Sequence, residues 1–195
     1  MEAQHKFDRL LAYHCAPTLA GAKPASMLSY GKHHKWLDGV LDRYNAELNV
    51  RGAYLEILCE CKKHVLIIVY DEAQLTKALC ETGVGCFLRQ YGYQDCTDIR
   101  RCLHRVGERI ASQQGFPHEI GIFLGYPLQD VMGFIHNKGR NYKMCGCWKV
   151  YSNAEQAQKT FDIYAKHREQ YSECLKMGIP LLALCTGPEL NGGLQ

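Results

Sequence analysis

No stretch of this sequence is apolar for long enough to cross a bilayer. The longest, Val65 to Tyr70, falls far short of the roughly 20 residues a membrane helix needs. Basic runs are missing as well. The densest group, Lys32 to Lys35, is interrupted by His33 and His34, and a formal net charge of +3 is too small to imply a nucleic-acid groove. Neither nucleic acid nor membrane is therefore expected as a partner. The opening MEAQHKFDRLLAYHC has spaced apolar residues and no small-residue cleavage site after an apolar block, so it does not read as a signal peptide. A cytoplasmic protein is expected. Internal repeats, low-complexity segments and a Pro/Gly-rich linker are also lacking, which leaves one domain over residues 1–187 and a flexible tail over 188–195.

What is abundant is cysteine. Eleven residues, an odd number without a regular framework, read as reduced thiols in a chain that is not exported. Most read as small buried hydrophobes. With 195 residues, 47% of them hydrophobic and 22% charged, the chain can bury a core without staples.

Periodicity outlines the elements. Phe7, Leu10, Leu11 and His14 share one helical face, and a Gly/Pro-punctuated segment follows from Cys15 to Gly31. Leu37, Val40, Leu41, Tyr44 and Leu48 mark a second helix. Leu55, Ile57, Cys59 and Cys61 alternate with Glu56 and Glu60 as a half-buried strand, and His64 to Tyr70 is apolar on both faces, as in a central strand. Only Lys62 and Lys63 separate the two, so they predict an antiparallel hairpin. Asp71 with Gln74 resembles a capping box over Leu75, Ala78 and Leu79. Ile99, Leu103, Val106 and Ile110 predict a further helix. Ile120 to Leu124 reads as a strand, Pro127 as the first residue of a helix closed by Gly139, and Cys147 to Tyr151 as another strand. Ser152 and Glu155 then cap a long helix through Leu175, and Leu181 to Cys185 reads as a last short strand. The expected fold is α/β (α+β): a mixed sheet of about five strands containing the hairpin, packed by amphipathic helices.

Three groups of residues could carry chemistry. In His14-Cys15-Ala16-Pro17-Thr18, Pro17 could open a short helical turn with Cys15 at its cap and Lys23 one loop away. A helix N-terminus or a nearby cation makes a thiol nucleophilic by favouring thiolate. The plain alternative is that His14 ends the first stripe and Cys15 is simply packed. A direct His14–Cys15 dyad would require the helix to end between them, because adjacent helical residues do not face each other. Pro117-His118-Glu119 lies just before an expected strand, where α/β proteins place working groups, and a histidine beside a carboxylate can be a general base or a metal ligand. Alternatively His118 bonds a backbone carbonyl and Glu119 caps a neighbouring helix. The pairs Cys59/Cys61 and Cys145/Cys147 would place their thiols on one strand face roughly 6.5 to 7 Å apart, awkward for one tetrahedral ion. Gly146 could let the second pair curl. Gly83-Val84-Gly85 lacks the spacing of a phosphate-binding fingerprint, and no Walker lysine motif is present. Gly125-Tyr126-Pro127 and Trp148-Lys149 read mainly as turn and core, with Tyr126 and Lys149 lining a pocket if their strands end side by side.

The strings His14 to Gly21 with Lys23-Pro24, Pro117 to Pro127, and Trp148-Lys149-Val150-Tyr151 resemble the bacterial family of unknown function DUF3793, in the same order across nearly the whole chain. The family often carries an aromatic residue before the tryptophan. Cys147 stands there instead, which weakens a metal role for that pair. The resemblance implies a bacterial, cytosolic protein of about this size, common in anaerobes and associated with iron-uptake and flavodoxin neighbours. It implies no activity, substrate, cofactor or catalytic residue. Two readings then compete. In one, a small thiol-dependent enzyme or accessory protein uses Cys15 as nucleophile or redox thiol, His118 as base, Glu119 as orienting acid and Lys23 to stabilise a developing anion, with His14 nearby. In the other, the protein is a non-enzymatic adaptor for an electron carrier such as a flavodoxin, or for an iron- or haem-linked partner. A metal site using His14, Cys15 and His118 is a third possibility, suited to zinc or iron.

Overall fold

The hairpin is the frame on which everything else is placed. The structure is a computed structural model describing residues 2–31, 37–60, 64–112 and 116–186. In it β2 (Ala53–Glu60) and β3 (His64–Asp71) pair antiparallel, as the alternation predicted. β3 is the centre of the sheet. On its other side lies β1 (Ala25–Gly31), also antiparallel, with Leu28 opposite Ile67 and Tyr30 opposite Val65. The strand order is β1-β3-β2. The expected five-stranded mixed sheet is thus replaced by a three-stranded antiparallel one and a separate two-stranded ribbon, β4 (Met144–Cys145) with β5 (Lys149–Val150).

Side chains alternate across a strand, so β3 feeds two cores. Val65, Ile67 and Val69 face a cluster built from Phe7, Leu11 and Cys15 of α1 (Glu2–Leu19), Leu41 and Tyr44 of α2 (Leu37–Leu48), and Leu181 of α9 (Leu181–Thr186). Ile68 and Tyr70 face the opposite cluster. It is supplied by α3 (Glu72–Leu79), α4 (Val84–Arg89), α5 (Ile99–Ala111), α6 (Ile120–Phe123) and Val131 of α7 (Leu128–His136). A third, smaller cluster joins Trp148 and Val150 of the ribbon region to Ala157, Phe161 and Tyr164 of α8 (Ala154–Lys176). None of the helices among the described residues is long and apolar enough to cross a membrane.

Several local expectations shift. α1 does not stop at His14 but runs through Pro17, whose missing N–H falls in the final turn. Pro17 O still accepts from Ala22 N at 2.8 Å, and Gly21 at φ 72° ends the helix. The segment expected to be a loop contains β1, tied to α1 by a buried 2.8 Å hydrogen bond between the Thr18 and Ser26 hydroxyls. The runs at 120–124 and 181–185, read as strands, are short helices α6 and α9. The expected strand over 147–151 shrinks to the two residues of β5. Asp71 caps α3 by accepting from Gln74 N at 2.8 Å, while the Gln74 side chain donates to Gly21 O instead of closing the box. α8 is capped one residue later than expected, by Asn153 accepting from Gln156 N. The bulge between Ile57 and Cys59 lets α5 approach closely: a Cβ on Gly107 would sit 2.3 Å from Leu58 O. The His33-His34 pair, Cys61, the Lys62-Lys63 turn and the tail over 188–195 lie outside the described residues.

Candidate functional site

The Pro117-His118-Glu119 turn opens α6, and its two polar side chains go different ways. Glu119 is 1% exposed. Its Oε1 accepts from Arg109 Nε on α5 in a tight ion pair, and from the Tyr93 hydroxyl at 3.3 Å. Arg109 in turn lies over the Tyr91 ring, 5.2 Å from its centroid. Burial, with Glu119 adding to it, pushes the Tyr93 phenol above its ordinary range. His118 points outward, its ring edge-on to Phe134 at 4.9 Å. No hydrogen bond joins His118 to Glu119 among the described residues, so the carboxylate anchors the turn without orienting the imidazole.

His118 stands at the mouth of a cleft of about 410 Å³. Ile120, Gly121 and Val131 form its floor, and Phe116, Phe134 and Cys145 lie along its sides. One wall is the Tyr126–Trp148 pair, stacked at 5.0 Å with 25° between the rings. Lys149 closes the far edge. Its ammonium donates to Gly139 O at 2.7 Å and lies over the Tyr142 ring at 4.9 Å.

The wall is held by a residue that sequence reasoning missed. Asp130, 2% exposed on α7, accepts from Trp148 Nε1 at 2.7 Å with one oxygen. With the other it accepts from Tyr151 N at 2.8 Å and Ser152 N at 2.7 Å. In the sequence it is an ordinary acid in the first turn of a helix, and no pattern there marks it. Arg109 and Arg168 escaped notice for the same reason: their partners are remote along the chain.

Cys15 does not reach this cleft. It sits inside α1, fully buried in the cluster on the Ile67/Val69 face, whereas the cleft floor belongs to the cluster on the Ile68/Tyr70 face. The expected Cys15–His118–Glu119 constellation is therefore not assembled, and the sheet lies between its parts. Cys15 is not at a helix cap either, because the helix continues past Pro17. Burial pushes its thiol up to about 12 despite the opposing pull of Lys23 and Arg168. We expect alkylation of the native protein to modify exposed Cys80, Cys86 and Cys145 first and to spare Cys15. Modification of Cys15 as fast as Cys145 in a peptide map would contradict that placement.

Lys23 and His14 belong to Cys15's surroundings. Lys23 is only 7% exposed, with its ammonium between the rings of Tyr126 at 5.8 Å and Tyr164 at 5.7 Å. Burial lowers it to about 8, with Cys15 and Cys147 pulling it back up and Arg168 adding to the fall. His14 is exposed, and burial of part of its ring together with Arg168 lowers its pKa. The Cys145/Cys147 pair straddles a turn: Cys145 lines the cleft, while Cys147 receives the Arg168 guanidinium at 3.9 Å and 4.0 Å. The two thiols diverge and do not share a face. Among the described residues no three His, Cys, Asp or Glu side chains gather as a metal-ligand set.

The low value at Lys23 has a consequence for stability. Between pH 8 and the unfolded value of 10.5, the unfolded chain binds the proton that folded Lys23 has lost, so stability rises with pH. From pH 9.0 upward the raised thiols Cys15, Cys102 and Cys185 act in the opposite sense. Cys102 and Cys185 are common to wild type and Lys23→Met, and Cys15, pushed up to about 12, keeps its proton between pH 8 and 9 with or without the lysine, so the comparison isolates the lysine. The stability of wild type relative to Lys23→Met is expected to rise by about 1 kcal/mol from pH 8 to 9, read from urea midpoints. A constant difference would show that the lysine is not depressed.

No curated protein and no solved structure matches the chain. The family model described as a protein of unknown function, DUF3793, matches residues 11–185. That stretch runs from the middle of α1 through the cleft and the ribbon to α9, and the chain belongs to this family.

Proposed function

We propose that the protein binds a small, flat, mostly apolar molecule carrying one acidic group, in the cleft between α6, α7 and the ribbon. The observation that carries this reading is the stacked Tyr126–Trp148 wall, fixed by a buried carboxylate beside a cavity of about 410 Å³. That volume falls within the roughly 300–1,000 Å³ of small-molecule sites, which combine apolar walls with a few placed polar groups. An aromatic face offers stacking to a planar ligand. The basic side chains around the cleft favour an acid: Lys149 and His118 line it, and exposed Lys138 and Arg140 flank Gly139, the residue that Lys149 holds. Lys138 and Asn141 adopt φ of 51° and 57°, a left-handed geometry uncommon outside glycine. Catalysis by Cys15 has no part in this reading, since the thiol is buried on the other face of the sheet.

Titration with 8-anilinonaphthalene-1-sulfonate, a planar aromatic acid, tests it. One saturable site per chain is expected, weakened about three- to tenfold in Lys149→Gln and in Phe134→Ala. Non-saturable binding, or binding that both variants leave unchanged, would sink the reading. A second reading, docking of an acidic protein such as an electron carrier, is favoured by exposed Phe116, Met132 and Tyr142, with Lys138 and Arg140 on the loop before Tyr142. Affinity purification from native lysate separates the two. A co-purifying small molecule supports the cleft ligand, and a stoichiometric acidic protein lost in Arg140→Glu supports docking.

A further inference from the structure

The groups around Lys23 form a second cluster that the cleft does not use. α8 presents Tyr164 and Arg168 four residues apart, so both lie on one helical face. The turn before β5 adds Cys147, whose sulfur touches the Arg168 guanidinium and whose carbonyl accepts from the Tyr126 hydroxyl at 3.4 Å. Lys23 projects between Tyr126 and Tyr164 from the segment joining α1 to β1. Of these residues, Tyr126 alone also lines the cleft.

Almost every side chain here is a donor. Among the described residues Lys23 makes no hydrogen bond and no ion pair, and Arg168 has no carboxylate partner. Two cations so placed repel each other. Cation–π attraction to two phenol rings recovers only a fraction of the penalty for desolvating an ammonium. Buried charges are ordinarily paired. The Cys15 sulfur is a poor counterion, held far toward its neutral form by burial. A guanidinium and an ammonium, with no acid among their neighbours here and two aromatic rings beside the ammonium, make a pair of charged donors suited to an oxyanion.

We propose that Lys23 and Arg168, flanked by the Tyr126 and Tyr164 rings, form a binding site for one oxyanion group (phosphate, sulfate or carboxylate), behind the aromatic wall of the cleft. The test is calorimetric titration of the full chain with inorganic sulfate and with inorganic phosphate, at ionic strength matched with sodium chloride. One saturable site per chain is expected for the wild type, weakened at least tenfold in Lys23→Gln and in Arg168→Gln. Lys77→Gln, at an exposed position on α3 that belongs to neither site, is expected to bind as wild type does. If Lys23→Gln fails to fold, the half-buried Arg168 still decides the matter. Absence of saturable binding in the wild type, or equal binding by Arg168→Gln, would overturn the proposal. Arg168→Gln should leave binding of the anilinonaphthalene probe unchanged, so the failure of one site is read separately from failure of the other.

Discussion

Glu119→Ala is expected to destabilise the fold by roughly 3 kcal/mol, the lower end of the 3–5 kcal/mol for breaking a buried ion pair. The carboxylate is 1% exposed and paired with Arg109, which is 28% exposed. Removing the acid leaves a guanidinium held against Tyr91 with no counter-charge, and the Tyr93 hydroxyl loses its acceptor. The lower end applies because Arg109 retains a path to water. His118→Ala, one residue away, removes only an exposed ring and its contact with Phe134, and should change stability by less than about 0.5 kcal/mol. The contrast separates an anchoring carboxylate from one that orients a base, because an orienting acid would affect a reaction and spare the fold. Urea midpoints of the two single variants give the answer. A double variant, Arg109→Met with Glu119→Leu, should recover most of the loss, because replacing both charges by apolar groups removes the desolvation penalty along with the attraction. Unfolding of Glu119→Ala at the wild-type midpoint would show that the ion pair is not a support of this turn.

How much of this was legible depended on whether a residue's role is local. Helices α2, α3, α5, α7 and α8 and the hairpin follow from apolar period and capping residues, which act within a few positions. β1 did not, because Pro24 and the surrounding glycines read as loop punctuation although Leu28 and Tyr30 alternate with Met27 and Ser29. Residues 120–124 and 181–185 read as strands for a different reason. A short apolar run buried on all sides carries no period, so a strand and a turn of helix look alike. At the site, His118, Tyr126 and Lys149 line one cleft, each drawn from a string conspicuous in the sequence. Cys15 is misplaced because the sequence puts it at the cap of a new helical turn opened by Pro17. Its ring instead occupies the last turn, where one lost hydrogen bond is outweighed by burial of Ala12, Cys15, Ala16 and Thr18. Asp130, Arg109 and Arg168 were invisible because each is defined by a partner ten or more residues away.

Asp130 is where that non-local information has the largest consequence for the cleft. One oxygen holds Trp148 upright and the other gathers the amides of Tyr151 and Ser152, so a single carboxylate fixes both the aromatic wall and the exit of the ribbon toward α8. Hydrogen bonds to a charged group contribute about 1.5–3 kcal/mol each, but Tyr151 and Ser152 are half-exposed and water can replace part of the loss. Asp130→Ala is therefore expected to cost roughly 2–4 kcal/mol in total. Asp130→Asn should be milder yet still harmful. If its amide oxygen serves Tyr151 and Ser152, its amide nitrogen must face the Trp148 N–H, donor against donor. Removing that donor with Trp148→Phe should then cost less in the Asn background than in the wild type, a coupling a double-mutant cycle measures directly. Residue-resolved amide exchange adds a second reading: Tyr151 and Ser152 should lose protection in Asp130→Ala while the β3 amides keep theirs. Wild-type exchange at those two amides would mean that the ribbon is held by its apolar contacts with Phe161 and Tyr164, and that the cleft wall needs no carboxylate behind it.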